Sequence, residues 1–193
     1  MSTTPVGTSA PQDPERQDPE LQGAEPQDSH APSSCSGGSL PEGVALRPAT
    51  IEDVEEIAFA ELELFPDEAW TVFQLAEEIE HPDRRYAVAE DAAGRLLGYA
   101  GIMLAGETAD LHTIGSREPG RGIGRALLAW CEQQASHGGA ERILLEVRED
   151  NARARALYTA AGWTELGVRR GYYRIRGRRI DAIVMEKALT AAP

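Results

Sequence analysis

Glycines at positions 120, 122 and 124 run directly into Arg125-Ala126-Leu127-Leu128, so a sharp backbone turn is followed at once by an apolar helical pattern. Glycine takes the Cβ out of such a turn and lets a ligand approach the main chain. The helix start that follows offers N–H groups without intrahelical acceptors and the positive end of the helix dipole. The stretch Gly120, Arg121, Gly122, Ile123, Gly124, Arg125 is therefore a candidate anion site able to hold a pyrophosphate. Two nucleotide signatures do not apply. The phosphate loop of nucleoside triphosphatases needs Lys followed by Ser or Thr after its last glycine, and Arg125-Ala126 stands there. The dinucleotide fingerprint needs its third glycine where this chain has Leu127.

The periodicity on either side sets the fold class. Val44-Ala45-Leu46-Arg47 reads as a short strand closed by Pro48. Thr50 with Asp53 predicts a capped helix whose apolar stripe is Ile51, Val54, Ile57, Ala58 and Leu62. Phe65 to Trp70 breaks that pattern, and Thr71 to Glu80 resumes it through Val72, Leu75, Ala76 and Ile79. From Arg85 the period changes to that of strands. Residues 86–90, 96–104 and 109–115 predict an antiparallel meander, with turns at Gly94 and Gly106. The glycine stretch opens a helix to about His137, and Arg142 to Val147 is a short buried strand. A helix over Asn151–Ala161 and strands over 165–174 and 180–187 complete the chain. The expectation is an α/β (α+β) fold: one mixed, mostly antiparallel seven-stranded sheet with four helices on its faces.

The start of the chain is different in kind. Residues 1–43 carry seven acids against Arg16 alone and are rich in Pro, Gln, Ser and Gly. Such a composition buries too little apolar surface to offset the entropy of ordering. Residues 1–41 are expected to be a disordered tail and 42–193 a single domain. The net charge of −13 opposes binding of nucleic acid through its phosphates and favours encounter with a basic substrate. Cys35 lies in the tail and Cys131 in a predicted helix, so neither a disulfide framework nor metal-ligand spacing is present. Neither a secretory signal nor a run long enough to cross a membrane is seen, and the expected compartment is the cytoplasm.

Beyond the glycine helix come Leu145-Glu146-Val147-Arg148, Asn151, Ala156-Leu157-Tyr158 and Gly162-Trp163, with Tyr172-Tyr173, Asp181-Ala182 and Met185 further on. Together with Thr113-Ile114-Gly115 and Gly120 to Leu128, this combination resembles the GNAT acetyl-CoA-dependent N-acetyltransferases. Within them it is similar to the RimI-type enzymes that acetylate the N-terminal alanine of a ribosomal protein. The resemblance covers about Val44 to Leu189. It implies the GNAT fold, acetyl-CoA as co-substrate, no metal, and a protein N-terminus as acceptor, from a basic small-subunit ribosomal protein. It also implies roles. Gly120, Arg121, Gly122, Ile123, Gly124 and Arg125 hold the pyrophosphate, Ile114, Gly115 and Ser116 pair their backbone with the pantetheine, and Asn151 contacts its amides. Glu146 is the base and Tyr158 the acid. Trp70, Tyr172 and Tyr173 are the candidate walls of the acceptor site, and His112 is read as a structural histidine.

The assigned chemistry is coherent. An amine must be neutral to attack a thioester, so a carboxylate has to accept its proton, and a phenol can protonate the departing thiolate. No cysteine sits in the catalytic stretch, which favours direct transfer over an acetyl-enzyme. One departure from the family is that Pro119 stands where Gln or Arg is usual, in a loop shorter than the family's, leaving Arg121 and Arg125 as the nearby cations. Two alternatives stay open: an acetyltransferase for a small amine such as a polyamine, and a non-catalytic acyl-CoA sensor. The presence of both Glu146 and Tyr158 argues against the sensor.

Overall fold

The computed structural model describes residues 7–9 and 40–190. Its strands are β1 (Gly7–Ser9), β2 (Val44–Pro48), β3 (Arg84–Asp91), β4 (Leu96–Ala105), β5 (Thr108–Ser116), β6 (Arg142–Arg148), β7 (Thr164–Ile175) and β8 (Arg178–Ala188). The helices are α1 (Val54–Leu64), α2 (Val72–Glu80), α3 (Ile123–His137) and α4 (Ala152–Ala160). Strands β2 to β8 form one sheet in the order β2-β3-β4-β5-β6-β8-β7. All neighbours along it are antiparallel except β5 and β6. The seven strands and four helices of the sequence reading are thus present, each within a few residues of its expected bounds.

The sheet separates two cores. On one face α1 and α2 bury Val54, Ile57 and Leu75 against Tyr86, Val88 and Tyr99. On the other, α3 and α4 bury Ile123, Leu127, Cys131 and Tyr158 against Ile114, Ile143, Leu145 and Val147. A side chain such as Leu127, with no exposed surface, contributes about 1.5–3 kcal/mol through this burial. Chain entry into α2 is fixed by a reciprocal cap in which the Gln74 amide donates to Thr71 Oγ1 and the Thr71 amide to Gln74 Oε1.

Two local expectations are corrected. The Thr50–Asp53 cap is present, with the Thr50 amide donating to Asp53 Oδ2 at 2.8 Å, but it opens a tight 3-10 turn, Ile51–Asp53, before α1 begins. The buried residues of α1 are Val54, Ile57, Ala58, Ala60 and Glu61, whereas Ile51 and Leu62 are exposed. Residues 54, 57, 58 and 61 follow the i, i+3, i+4, i+7 rhythm, so the stripe is helical but ends on a carboxylate.

The feature that positions the site is a gap in the middle of the sheet. β5 and β6 pair only where Thr108–Asp110 meet Arg142–Leu144. Beyond that point β5 stays bonded to β4 as far as Ser116, and β6 stays bonded to β8 as far as Arg148. The two strands therefore part, and the β6-facing edge of β5 from Leu111 onward has no β6 partner. A bulge in β5 accompanies the split: Gly101 faces Thr113 while Ile102 faces Leu111, leaving His112 as the extra residue. The short strand β1 lies in this gap, antiparallel to β5, with Gly7 opposite Gly115, Thr8 opposite Ile114 and Ser9 opposite Thr113. Gly7–Ser9 belong to the stretch expected to be disordered, and their pairing departs from that expectation; the rest of that stretch up to Ser39 lies outside the described residues.

Candidate active site

Strand β6 alternates about the sheet, which settles where Glu146 points. Ile143, Leu145 and Val147 are buried in the α3/α4 core, so Glu146 and Arg148 lie on the opposite face. The Glu146 carboxylate is paired with Arg169 of β7 at 3.2 Å, and 19% of its side chain is exposed. Its backbone carbonyl accepts a hydrogen bond from the Tyr173 hydroxyl at 3.1 Å. This fixes the peptide carrying the carboxylate to the β7–β8 hairpin.

Tyr158 comes from α4 and is fully buried, with its ring against Trp163 at a centroid distance of 5.8 Å. Its hydroxyl has no hydrogen-bond partner among the described residues. Burial pushes the phenol well above the ordinary tyrosine range, so it carries its proton throughout the neutral region. A buried hydroxyl without a partner is costly to keep unless a ligand group completes it. Ser116 Oγ, at the end of β5, is a second buried oxygen without a partner among the described residues.

At the glycine stretch the backbone takes the form its sequence predicts. Gly122 is the N-cap of α3 at φ 84°, a left-handed conformation that suits glycine, and no side chain caps the helix. The first intrahelical bond is donated by the Ala126 amide to the Gly122 carbonyl, so the amides of the first turn have no acceptor within the helix. A Cβ on Gly120 or Gly122 would meet nothing within 4 Å, so the main chain there is open to a ligand. Arg125 makes no ion pair among the described residues, whereas Arg121 is bonded to Glu118, which also accepts from Arg95 at 3.0 Å. The two expected phosphate cations are thus unequal.

Ile114, Gly115 and Ser116, the residues expected to meet the pantetheine, lie on the part of β5 that has no β6 partner, where β1 pairs with Ile114 and Gly115. Gly115 is needed by packing as well, since a Cβ there would fall 2.7 Å from the Tyr99 ring. Asn151 is the N-cap of α4, where its side-chain oxygen accepts from the Ala154 amide at 3.1 Å. Uncapped first-turn amides, a strand edge without a β6 partner and two buried hydroxyls without partners among the described residues together fit an extended ligand with an anionic end and a polar, hydrogen-bonding arm.

The elements carrying the candidate acceptor walls, the α1–α2 loop and the β7–β8 hairpin, are tied together. Arg176 of the β7–β8 turn reaches Asp67 of the α1–α2 loop at 3.3 Å, and Arg148 of β6 reaches Glu68 of the same loop at 3.4 Å. Tyr172 and Tyr173 meet edge to face at 5.1 Å, with the Arg169 guanidinium 5.5 Å from the centre of the Tyr172 ring. Trp70 is buried and stacks on His112 at 6.0 Å, so much of its ring surface is committed to packing. His112 in turn contacts Glu78 at 2.9 Å, the histidine expected to be structural having a structural partner. Burial pushes the Glu78 carboxyl up, but the hydrogen bond and charge of His112, with Arg84, outweigh it and hold the group below its usual value.

Three residues of this region escape a sequence reading. Glu61 is fully buried and accepts from Thr113 Oγ1 at 2.7 Å, and burial pushes its carboxyl up to about 7. The available signal was its place in the apolar stripe of α1. Arg169 and Glu68 reach the site only through tertiary contacts that leave no local pattern.

The model of the Acetyltransferase (GNAT) family matches residues 51–163. The chain belongs to the GNAT family. It is an acetyltransferase, and the family uses acetyl-CoA. The chain is 39% identical over 153 residues to the N-alpha-acetyltransferase RimI of Mycobacterium tuberculosis, covering 76% of this chain and 93% of that protein. It is 31% identical to a putative [ribosomal protein bS18]-alanine N-acetyltransferase of Bacillus subtilis, covering 73% of this chain and 93% of the relative. Among solved structures, the ribosomal-protein-S18-alanine N-acetyltransferase of Escherichia coli superposes with a TM-score of 0.69 at 25% identity, covering 78% of this chain and 96% of that one.

Proposed function

We propose that this GNAT enzyme transfers acetyl from acetyl-CoA to the N-terminal α-amine of a protein, with the N-terminal alanine of a small-subunit ribosomal protein as acceptor. The observation that supports the reading is that Glu146 stands on β6 beyond the point where β5 and β6 part, while the buried Tyr158 hydroxyl of α4 has no hydrogen-bond partner among the described residues. When bound, acetyl-CoA supplies an activated acetyl thioester whose sulfur leaves as a thiolate. Residues Ile114 to Ser116 hold the arm of the cofactor by backbone pairing, and the first-turn amides of α3 with Arg125 hold its phosphates. Asn151, which caps α4, orients the arm beside Tyr158. Glu146 takes the proton of the acceptor amine, and Tyr158 gives its own to the leaving sulfur. The acceptor's N-terminus lies between the Trp70 loop and the Tyr172–Tyr173 wall, which Arg176 and Asp67 tie together. The protein's acidic balance suits a basic acceptor, and a ribosomal-protein acceptor is met in the cytoplasm, the compartment this reading gives the enzyme.

Incubation with acetyl-CoA and a panel of peptides differing only in their first residue, read as thiol release, tests the reading. Ala-initiated peptides should be acetylated fastest, and polyamines or aminoglycosides slowly or not at all. Acetylation of the small amines without any peptide turnover overturns it.

A further inference from the structure

Strand β1 occupies backbone that the cofactor needs. Gly7, Thr8 and Ser9 run antiparallel to β5 opposite Gly115, Ile114 and Thr113, and the segment also lies beside β6. That is the stretch of β5 left without a β6 partner by the early parting of the two strands. A strand edge has one row of N–H and C=O groups to offer, so it cannot pair with a peptide strand and a pantetheine arm at the same residues. The polarity also matches a mimic: the Gly7 end lies at Gly115, toward the glycine stretch, and the Ser9 end lies at Thr113, deeper in the sheet.

Resting on the reading of this edge as the cofactor's, we infer that the chain's own N-terminal segment is an intramolecular competitor of acetyl-CoA: Gly7–Ser9 close the β5–β6 gap and must leave it before the cofactor's arm can pair with β5. The segment is suited to a reversible contact. Three residues of pairing are weak by themselves, but thirty residues of chain tether Ser9 to Leu40, and tethering supplies an effective concentration roughly in the millimolar range. Gly7–Ser9 are held to β5 by backbone pairing at three positions. Competition of this kind divides cofactor affinity by the fraction of molecules with the gap open. A segment docked between half and nine-tenths of the time weakens acetyl-CoA binding about twofold to tenfold.

Calorimetric titration of acetyl-CoA into three proteins tests this: the full chain, a form lacking residues 1–39, and the full-length Thr8→Pro/Ser9→Pro variant. In an antiparallel pair one of two consecutive amides faces the partner strand, so the double proline removes a ladder donor whichever residue it is. Both altered proteins should bind acetyl-CoA about twofold to tenfold more tightly than the full chain. A synthetic peptide of residues 1–20, added to the truncated form, should weaken binding again in a way that excess acetyl-CoA overcomes. Turnover of the truncated form at saturating cofactor should equal that of the full chain. Equal affinities in all three proteins overturn the inference while leaving the cofactor site standing. Loss of all acetyl-CoA binding in every form removes the cofactor reading itself, and the inference with it.

Discussion

The hydroxyl of Thr113 donates a 2.7 Å hydrogen bond to the carboxylate of Glu61, joining the inner face of α1 to the part of β5 that has parted from β6. The same carboxylate is approached by the Trp70 amide at 3.5 Å, so α1, the α1–α2 loop and the split strand converge on one buried acid. Burial disfavours its charge, and the donors around it only partly offset that cost. The α1–α2 loop and the split strand β5 therefore share a support whose carboxyl is pushed up to about 7.

This gives a signed prediction for stability. The folded pKa of Glu61, about 7, lies above its ordinary value of 4.5. Its contribution is fully present below about pH 4.5 and is lost as pH rises through 7, because only the unfolded chain ionises freely between the two. The Glu61→Gln variant imitates the protonated acid and keeps an acceptor for Thr113. It should be more stable than the parent at pH 8, by up to ~3 kcal/mol at 1.36 kcal/mol per unit, and the difference should shrink toward pH 5. Thermal midpoints of both proteins across that range decide it; a difference independent of pH sinks the assignment.

Glu146 should show its role through pH. Removing a general base lowers turnover about a hundredfold or more, and Glu146→Gln should recover in part at high pH, where the amine loses its proton unaided. Rates from pH 6 to 10 on an Ala-initiated peptide, with acetyl-CoA affinity measured alongside, are the check. Near-normal turnover at neutral pH places the base elsewhere.

For the phosphates, Arg125 is a cleaner probe than the glycines. A side chain at Gly122 is strained by its φ of 84° whatever binds there. Arg125→Glu places an acid at the positive end of α3, a first turn that carries none, so the fold should be unharmed or slightly stabilised. Reversing one charge about 4 Å from a phosphate costs about 2 kcal/mol in water, hence more than tenfold in affinity. That loss should diminish as salt screens the pair. Calorimetry at low and high salt reads both effects, and unchanged affinity in a folded variant removes Arg125 from the phosphate site.

Most of the architecture was legible because it rests on local signals. The period change at Arg85, the glycines before Ile123 and the apolar run Ile143 to Leu145 each leave a mark within a few residues. What stayed hidden depends on distant partners. Glu61 reads as an exposed acid until α1 is laid on β5 and Thr113 stands opposite it. Ile51 and Leu62 read as core until the true stripe of α1 fixes its rotation. The pairing of Glu146 with Arg169 lies next to a register shift between Arg169 and Tyr173, which no strand pattern announces. Strand β1, Gly-Thr-Ser, is too short to show an alternating pattern, and exists because β5 offers it an edge.

Tyr158 offers the sharpest separation of chemistry from structure. Its hydroxyl is buried and makes no hydrogen bond among the described residues, so Tyr158→Phe removes a polar atom that contributes nothing to holding the fold. Stability should be unchanged or raised, since a buried unpaired hydroxyl costs about 1–3 kcal/mol. Turnover should nevertheless fall, because the leaving sulfur loses its proton donor. The fall should be smaller than that of Glu146→Gln, as a thiolate whose acid has a pKa of roughly 8.5 leaves tolerably by itself near neutrality. Raising the pH should not restore the rate, since the step that suffers is the gain of a proton rather than its loss. Turnover that is unaffected, in a variant of equal or greater thermal midpoint, means that the sulfur takes its proton from another source and that Tyr158 only fills space beside Trp163.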